Sequence, residues 1–338
     1  MNNPLQFAII GCGKIAPRHA TQIKKHGTLR AVCDIEKSKA DALAKDFSSK
    51  AYYNIDDLLA NEKQVDVLVV CTPNGLHAEH SIKGLNAGMH VICEKPMAIT
   101  AADAENMITA AKRNNKKLNI VKQNRFNPPV AFVKNLLQQE KLGRITSFQL
   151  NCFWNRPAEY YLNTWKGNKE MDGGTLFTQF SHFIDIMFWF LGDIKSVTGI
   201  RKNQLHINTI EFEDTGIAIL EMNNGAIGSL SYSVNAYKHN MEGSLTLFGE
   251  KGTVKIGGQY LNELEYFSVE NEQAPVLQKG SNANEYGFYE GSMSNHDKVY
   301  NAFVQSLNDT ASPLASAEET MKTVAIIEKI YNESPFLP

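Results

Sequence analysis

Short, unbroken apolar runs alternate with amphipathic stretches through the first part of the chain. FAII (7–10), RAVC (30–33), VDVLVV (65–70), HVIC (90–93) and KLNIV (117–121) recur with helix-like spacers between them, and a shorter AYY sits at 51–53. Runs that do not alternate belong to strands covered on both faces, so the pattern predicts a parallel sheet in an α/β domain. Helix signals fall where that plan needs them. Asn54 precedes IDDLLA, Thr100 stands three residues before Asp103, and Gly88 follows SIKGLNA as a C-terminal stop.

Beyond residue 122 the texture changes. The Pro128–Pro129 pair in QNRFNPPV is expected to stop a helix, and the domain boundary is placed beside it, giving 1–122 and 123–338. TSFQLNCFW (146–154), GIAILEM (216–222), AIGSLSYSV (226–234), GSLTLFG (243–249) and GTVKIGG (252–258) alternate in polarity and are punctuated by glycine. That is the pattern of an open antiparallel sheet with one covered face, in an α+β domain. Two helical patterns follow, at about 296–308 and 317–332, the second opened by Ser316 and Glu319 in capping-box spacing.

Bulk composition narrows the class. A chain of 338 residues is too long for one ordinary core, which agrees with two domains. With 43% hydrophobic and 21% charged residues and a net charge of −2, there is no electrostatic case for nucleic acid or an anionic membrane. No apolar run approaches the ~18–20 residues of a membrane span, and MNNPLQFAIIG lacks the basic start of a signal peptide. Cysteines 12, 33, 71, 93 and 152 show no C-x-x-C spacing, so reduced thiols in a cytoplasmic protein are expected, with neither disulfides nor zinc.

The first apolar run ends in a glycine turn, GCGKIA. Gly11 permits the tight bend, Gly13 lets backbone N–H groups approach a pyrophosphate, and Ala16 lets the next helix pack closely on the strand. Lys14 and Ile15 lie in the same turn. The second run ends in Asp34, 23 residues after Gly11, where a carboxylate accepts hydrogen bonds from an adenosine ribose. These are the marks of a Rossmann dinucleotide-binding domain, and Asp34 favours NAD because it would repel the 2′-phosphate of NADP. CTPNGLH then places Thr72, Asn74 and His77 at the carboxyl edge of the sheet, where ligands of open α/β sheets bind.

HVIC is followed directly by Glu94, Lys95 and Pro96. At that edge Glu94 is expected to reach a ribose, while Lys95 reaches the nicotinamide end and handles protons. Glu-Lys-Pro after the fifth Rossmann strand resembles the Gfo/Idh/MocA oxidoreductases, and the resemblance extends over essentially the whole chain. It implies an open-sheet second domain through which members form dimers or tetramers.

A second stretch, MDGGTLFTQFSHFIDIMFWFLG (171–192), puts His182 and Asp185 on one face of an apolar helix. The resemblance makes His182 the catalytic partner of Lys95. Thr178 stands where many relatives carry an aspartate, which argues against inositol as substrate. Asp185 is then expected to orient a neighbouring group. Gln123, Trp165 and Lys166 are further cofactor contacts that the resemblance implies, although Lys166 replaces an arginine common in relatives.

KQNRFNPPV (122–130), NRPAEYYLNTWKGNKEMDGG (155–174), EGSLTLFGEKGTVKIGG (242–258) and YGF (286–288) are similar to the dehydrogenases of UDP-N-acetylglucosaminuronate. Those enzymes oxidise the sugar at C3 and serve bacterial surface-polysaccharide (lipopolysaccharide) synthesis. Arg125 and Arg156 suit a uronate or diphosphate, and Tyr160, Tyr161 and Trp165 suit sugar or base faces. Asn127 and Thr178 complete the expected substrate set with Lys95 and His182. NADH would either exchange or stay bound and pass its hydride to 2-oxoglutarate. Competing readings are a dehydrogenase of UDP-N-acetylglucosamine, of a free sugar or of inositol, and a non-catalytic NAD-sensing regulator.

Overall fold

The computed structural model describes residues 4–337 apart from 279, 281, 286, 288 and 309–313. Tyr286 and Phe288 of the YGF stretch therefore lie outside the described residues. The chain divides into two compact units, Met1–Lys122 with His296–Val324, and Gln123–Asn295 with Ala325–Pro338.

The first unit alternates strand and helix: β1 (Leu5–Ile10), α1 (Ala16–His26), β2 (Gly27–Cys33), α2 (Lys37–Phe47), β3 (Lys50–Tyr52), α3 (Ile55–Asn61), β4 (Val67–Val70), α4 (His77–Asn86), β5 (His90–Cys93), α5 (Ala101–Arg113) and β6 (Leu118–Ile120). The strands pair in parallel in the order β3-β2-β1-β4-β5-β6. All four residues of β4 are buried, as an unbroken apolar run in a central strand must be. Asn54 caps α3 by accepting from the Asp56 N–H, and Thr100 caps α5 through the Asp103 N–H. Gly88, at φ +83°, follows the end of α4.

The second unit holds α6 (Pro128–Gln138), β7 (Ile145–Phe153), α7 (Lys169–Asp172), α8 (Thr175–Thr178), α9 (Ser181–Leu191), β8 (Ile194–Lys202), β9 (Thr215–Met222), β10 (Ile227–Ser233), β11 (Glu242–Gly249), β12 (Gly252–Gly257), β13 (Glu263–Val269), β14 (Ala283–Glu285) and β15 (Glu290–Met293). After it come α10 (His296–Asn308), α11 (Ala317–Glu333) and β16 (Phe336–Leu337). The large sheet runs β13-β12-β11-β7-β10-β9-β8-β16. It is antiparallel except where β7 meets β10 and β8 meets β16, so the sheet is mixed rather than purely antiparallel. The helix α9 packs on its covered face through Phe183, and a Cβ at Gly243 would lie 2.5 Å from that ring. On the other face Ile200, Ile217, Ile219 and Ile227 are exposed.

Three expectations need revision. The Pro128–Pro129 pair starts α6 instead of stopping a helix, because proline is well suited to the first turn, where its missing N–H has no partner to lose. The single apolar helix expected within 171–192 is broken at Gln179–Phe180 into α8 and α9. The segment 296–324 gathers with the first unit and not the second. Its helix α10 buries Val299, Tyr300 and Phe303, and Tyr300 packs its ring on Phe7, His19 and His26. Among the described residues no helix is long and apolar enough to cross a membrane.

Glu213 makes the second unit sensitive to pH. It is wholly buried, its Oε1 accepts from the Tyr331 hydroxyl at 2.7 Å, and Arg201 lies 3.4 Å from its other oxygen. Tyr331 in turn accepts the Leu176 N–H, in space left by Gly174, whose Cβ would sit 2.5 Å from that hydroxyl. Burial outweighs these partners and pushes the carboxyl from its ordinary 4.5 up to about 7. A raised acid contributes stability that is full below its unfolded value and lost as pH rises through its folded one. Thermal stability is therefore expected to fall between pH 4.5 and about 7, by at most roughly 3 kcal/mol, and to level off above. Glu213→Gln keeps an acceptor for Tyr331 and should flatten that slope in calorimetric scans. An unaltered slope would exclude Glu213 as its source.

Candidate active site

The nucleotide edge is built by close backbone approach. Gly11 has φ +87°, its N–H donates to the Cys33 carbonyl at 2.8 Å, and any Cβ there would meet the Cys71 backbone at 2.5 Å. Only glycine fits. Gly13 is different, since a Cβ there would find nothing within 4 Å. That open side, at the start of α1, is a cradle that a bound pyrophosphate can enter. Asp34 braces the turn: one carboxylate oxygen accepts the Cys12 N–H at 2.7 Å and the other accepts the Glu36 N–H at 2.8 Å. Lys14 is exposed and Ile15 half-buried. Ile35, beside Asp34, is 88% exposed and was not singled out from sequence.

Thr72, Asn74 and His77 follow β4, with Asn74 and His77 buried. Both His77 nitrogens face carbonyl oxygens, Nδ1 that of Pro96 at 2.6 Å and Nε2 that of Thr72 at 2.9 Å. Burial draws this imidazole below its ordinary pKa, against the pull of the two carbonyls and Glu94. The histidine thus ties the turn after β4 to the turn after β5.

Glu94 is buried as well. Its Oε1 accepts from His19 Nε2 at 2.8 Å and from His296 Nε2 at 3.3 Å, and its Oε2 accepts the Lys95 N–H at 3.2 Å. Burial alone would raise this carboxyl, but the two imidazoles hold it well below the usual range. The ligand-type atoms of His19, Glu94 and His296 lie within 4.8 Å of one another, and the 2.8 Å contact is the length of a hydrogen bond. Sequence reasoning missed His19, His296 and Tyr300. Lys95, half-buried, follows on the same turn.

In the second unit Gln123 and Asn127 are buried, and Asn127 donates to the Tyr260 carbonyl at 2.9 Å. Arg125 forms a two-pronged ion pair with Asp185 at 2.8 and 3.0 Å and lies over the Trp189 ring. Asp185 is thus the carboxylate partner of Arg125. Arg156, 2% exposed, donates to Gln179 Oε1, Asn240 Oδ1 and the carbonyls of Asn155 and Glu290. None of those acceptors is a carboxylate. Its guanidinium also lies over Trp154, Tyr160 and Tyr289.

Lys166 stands 3.8 Å from the centre of the Tyr160 ring and 3.4 Å from the Tyr289 hydroxyl. Burial pushes the Tyr160 phenol up, but Lys166 and Arg156 outweigh it, and the phenol ends below its ordinary value. Tyr161 packs edge-on against Tyr160, and Trp165 is half-buried. Thr178 donates its hydroxyl to Asp172, whose other oxygen accepts the Gly167 N–H at 2.9 Å. His182 is buried in the first turn of α9. A hollow lined by Glu242, Tyr260, Asn262, Glu263, Glu290 and Met293 contains none of these candidates.

The model of the oxidoreductase family's NAD-binding Rossmann fold matches residues 5–121, and that of its C-terminal alpha/beta domain matches residues 134–334. The chain belongs to the Gfo/Idh/MocA oxidoreductase family. Its first unit carries the NAD-binding domain of Gfo/Idh/MocA proteins, and the glycine cradle and Asp34 fit that cofactor. The chain is similar to the WlbA dehydrogenase of Chromobacterium violaceum, solved with NADH and UDP-GlcNAcA, at 31% identity and a TM-score of 0.88 over 98% of this chain and 94% of that one. The WlbA dehydrogenase of Bordetella pertussis, solved with the same two molecules, gives 32% and 0.87 over 98% and 96%. Glucose-6-phosphate 3-dehydrogenase of Bacillus subtilis strain 168 is 30% identical over 63% of this chain and 61% of that enzyme, so the chain spans less than two thirds of its length.

Asp34 generates a test. NAD should bind more tightly than NADP, because a 2′-phosphate would meet a carboxylate already fixed by two N–H groups. Calorimetric titration of both cofactors checks this, and Asp34→Ala should narrow the gap while loosening the turn. Equal affinities in the unaltered protein would take Asp34 out of the argument.

Proposed function

We propose that this protein oxidises the C3 hydroxyl of UDP-N-acetylglucosaminuronate to the 3-keto sugar, with NAD as oxidant. The observation that carries an anionic substrate is the pair of cations on one aromatic cluster. Arg156 and Lys166 flank Tyr160 and Tyr289, and among the described residues the hydrogen-bond acceptors of Arg156 are amide and backbone carbonyl oxygens. A buried guanidinium with only neutral acceptors leaves positive charge that a uronate or phosphate can neutralise. The likeness to the two WlbA dehydrogenases supports the nucleotide sugar, and the apolar isoleucines on the open sheet face support a homo-oligomer, a dimer or tetramer.

NAD, when bound, supplies the hydride acceptor. His182 takes the proton of the C3 hydroxyl as general base. Lys95 donates a hydrogen bond to the same oxygen and stabilises the charge that develops there. Thr178, which donates its hydroxyl to Asp172, lies against the sugar in this reading. Arg125 and Asp185 hold α9 and the turn after residue 122 in one arrangement.

NADH absorbance should rise with UDP-N-acetylglucosaminuronate when no 2-oxo acid is present to take the hydride back, and stay flat with myo-inositol or glucose. Lys166→Met should raise KM for the nucleotide sugar several-fold with kcat little changed. Turnover of glucose 6-phosphate with no response to any UDP-sugar would sink the assignment in favour of a sugar-phosphate enzyme.

Lys95→Ala and His182→Ala should each lower kcat by about 10²–10⁴-fold with NAD affinity preserved. Their combined effect should be less than additive, as for groups that act on one proton. Full additivity would assign them to separate steps.

A further inference from the structure

We infer that Glu94 is a positioning residue for Lys95, fixed from behind by His19 and His296. This inference rests on the reading that Lys95 acts on the reacting hydroxyl.

With a neutral imidazole at His19 the hydrogen bonds run in one direction. Tyr300 donates its hydroxyl to His19 Nδ1 at 2.9 Å, which leaves the His19 Nε2–H to donate to Glu94 Oε1 at 2.8 Å. A neutral imidazole is enough for both contacts. His296 brings a second N–H to the same oxygen, and the Lys95 N–H occupies the other. Three of the roughly four lone-pair sites of the carboxylate are thereby taken inside the protein. Glu94 is 8% exposed as a residue, and the imidazoles and Tyr300 behind it are buried, so the group is walled in and not hung from a loop.

Lys95 is anchored on both sides. Its own N–H is held by Glu94, and the carbonyl of the next residue, Pro96, is held by His77. A lysine side chain has about 2 kcal/mol of rotamer freedom, so its ammonium can be aimed only if the backbone beneath it is still. His19 also sits in the first turn of α1, which starts at the glycine cradle. One helix thus ties the pyrophosphate turn to the lysine turn. Displacing a catalytic group by an ångström costs up to about 10²-fold in rate, which is the scale of effect expected.

The test uses the full chain with Glu94→Gln, His296→Asn and Lys95→Ala. Glu94→Gln should lower kcat about 10–100-fold while NAD dissociation constants stay within about twofold. His296→Asn, which leaves the His19 contact, should lower kcat less. Hydrogen exchange read at single-amide resolution should quicken at Lys95 in Glu94→Gln and stay unchanged in the core strands. A tenfold weaker NAD complex with kcat retained would overturn the inference and make Glu94 a cofactor ligand. Unchanged turnover in Glu94→Gln beside a dead Lys95→Ala would overturn it too. If Lys95→Ala is itself fully active, the reading of Lys95 falls instead. Lys95 exchange then decides the anchoring alone: quickening upholds it, and no change removes it. A uniform loss of melting temperature and protection would reduce Glu94 to a packing role.

Discussion

A carboxylate kept ionised out of water has to be surrounded by N–H donors, and Glu94 shows what that demands. The imidazoles of His19 and His296 and the Lys95 amide are the donors, and each must come from a different part of the first unit. Burial favours the neutral acid, so without these partners the group would take up a proton and the turn would lose its anchor. The helix α1, the turn after β5 and the helix α10 are all held to positions that satisfy one oxygen pair. The second unit obeys the same constraint with the sign reversed. Arg125 is matched by Asp185, while Arg156 relies on amide and carbonyl oxygens and aromatic faces.

Features that depend on neighbours in the chain were legible in the sequence. The glycine turn, Asp34 and the caps at Asn54, Thr100 and Ser316 each act within a few residues or across adjacent strands. Unbroken apolar runs announced the strands of the first unit because both faces of a parallel sheet are covered. The strand β8, IKSVTGIRK, was missed because only Ile194 and Val197 of its nine residues are buried and polar residues separate them, so no regular alternation shows. The proline pair misled because a helix start and a helix stop share the same residue type, and only the register of the following turn separates them.

The site was less legible than the fold. Glu94 and Lys95 stand out locally, but what they touch does not. His19 lies 75 residues before Glu94 and His296 lies 202 after it, and neither sits in a pattern that marks it. The two arginines singled out as anion forks are tied to Asp185, Gln179 and Asn240, partners that single-sequence spacing cannot reveal. Lys166, read as an imperfect match, stands against the ring of Tyr160. Polar side chains declare their chemistry in a sequence, whereas their commitments are made in three dimensions.

The packing of α10 on α1 has a consequence for how the molecule comes into being. The six-stranded parallel sheet is complete in sequence by Ile120, yet His296 and Tyr300 emerge from the ribosome some 180 residues later. Until they arrive, the Glu94 carboxylate has one imidazole rather than two, and that imidazole has no phenol behind it. The nascent domain is therefore obliged to wait, with its carboxylate and His19 each short of a partner, while seven of the eight strands of the second sheet are synthesised. An isolated 1–122 segment carries that deficit permanently, so this Rossmann domain does not end where its sheet ends.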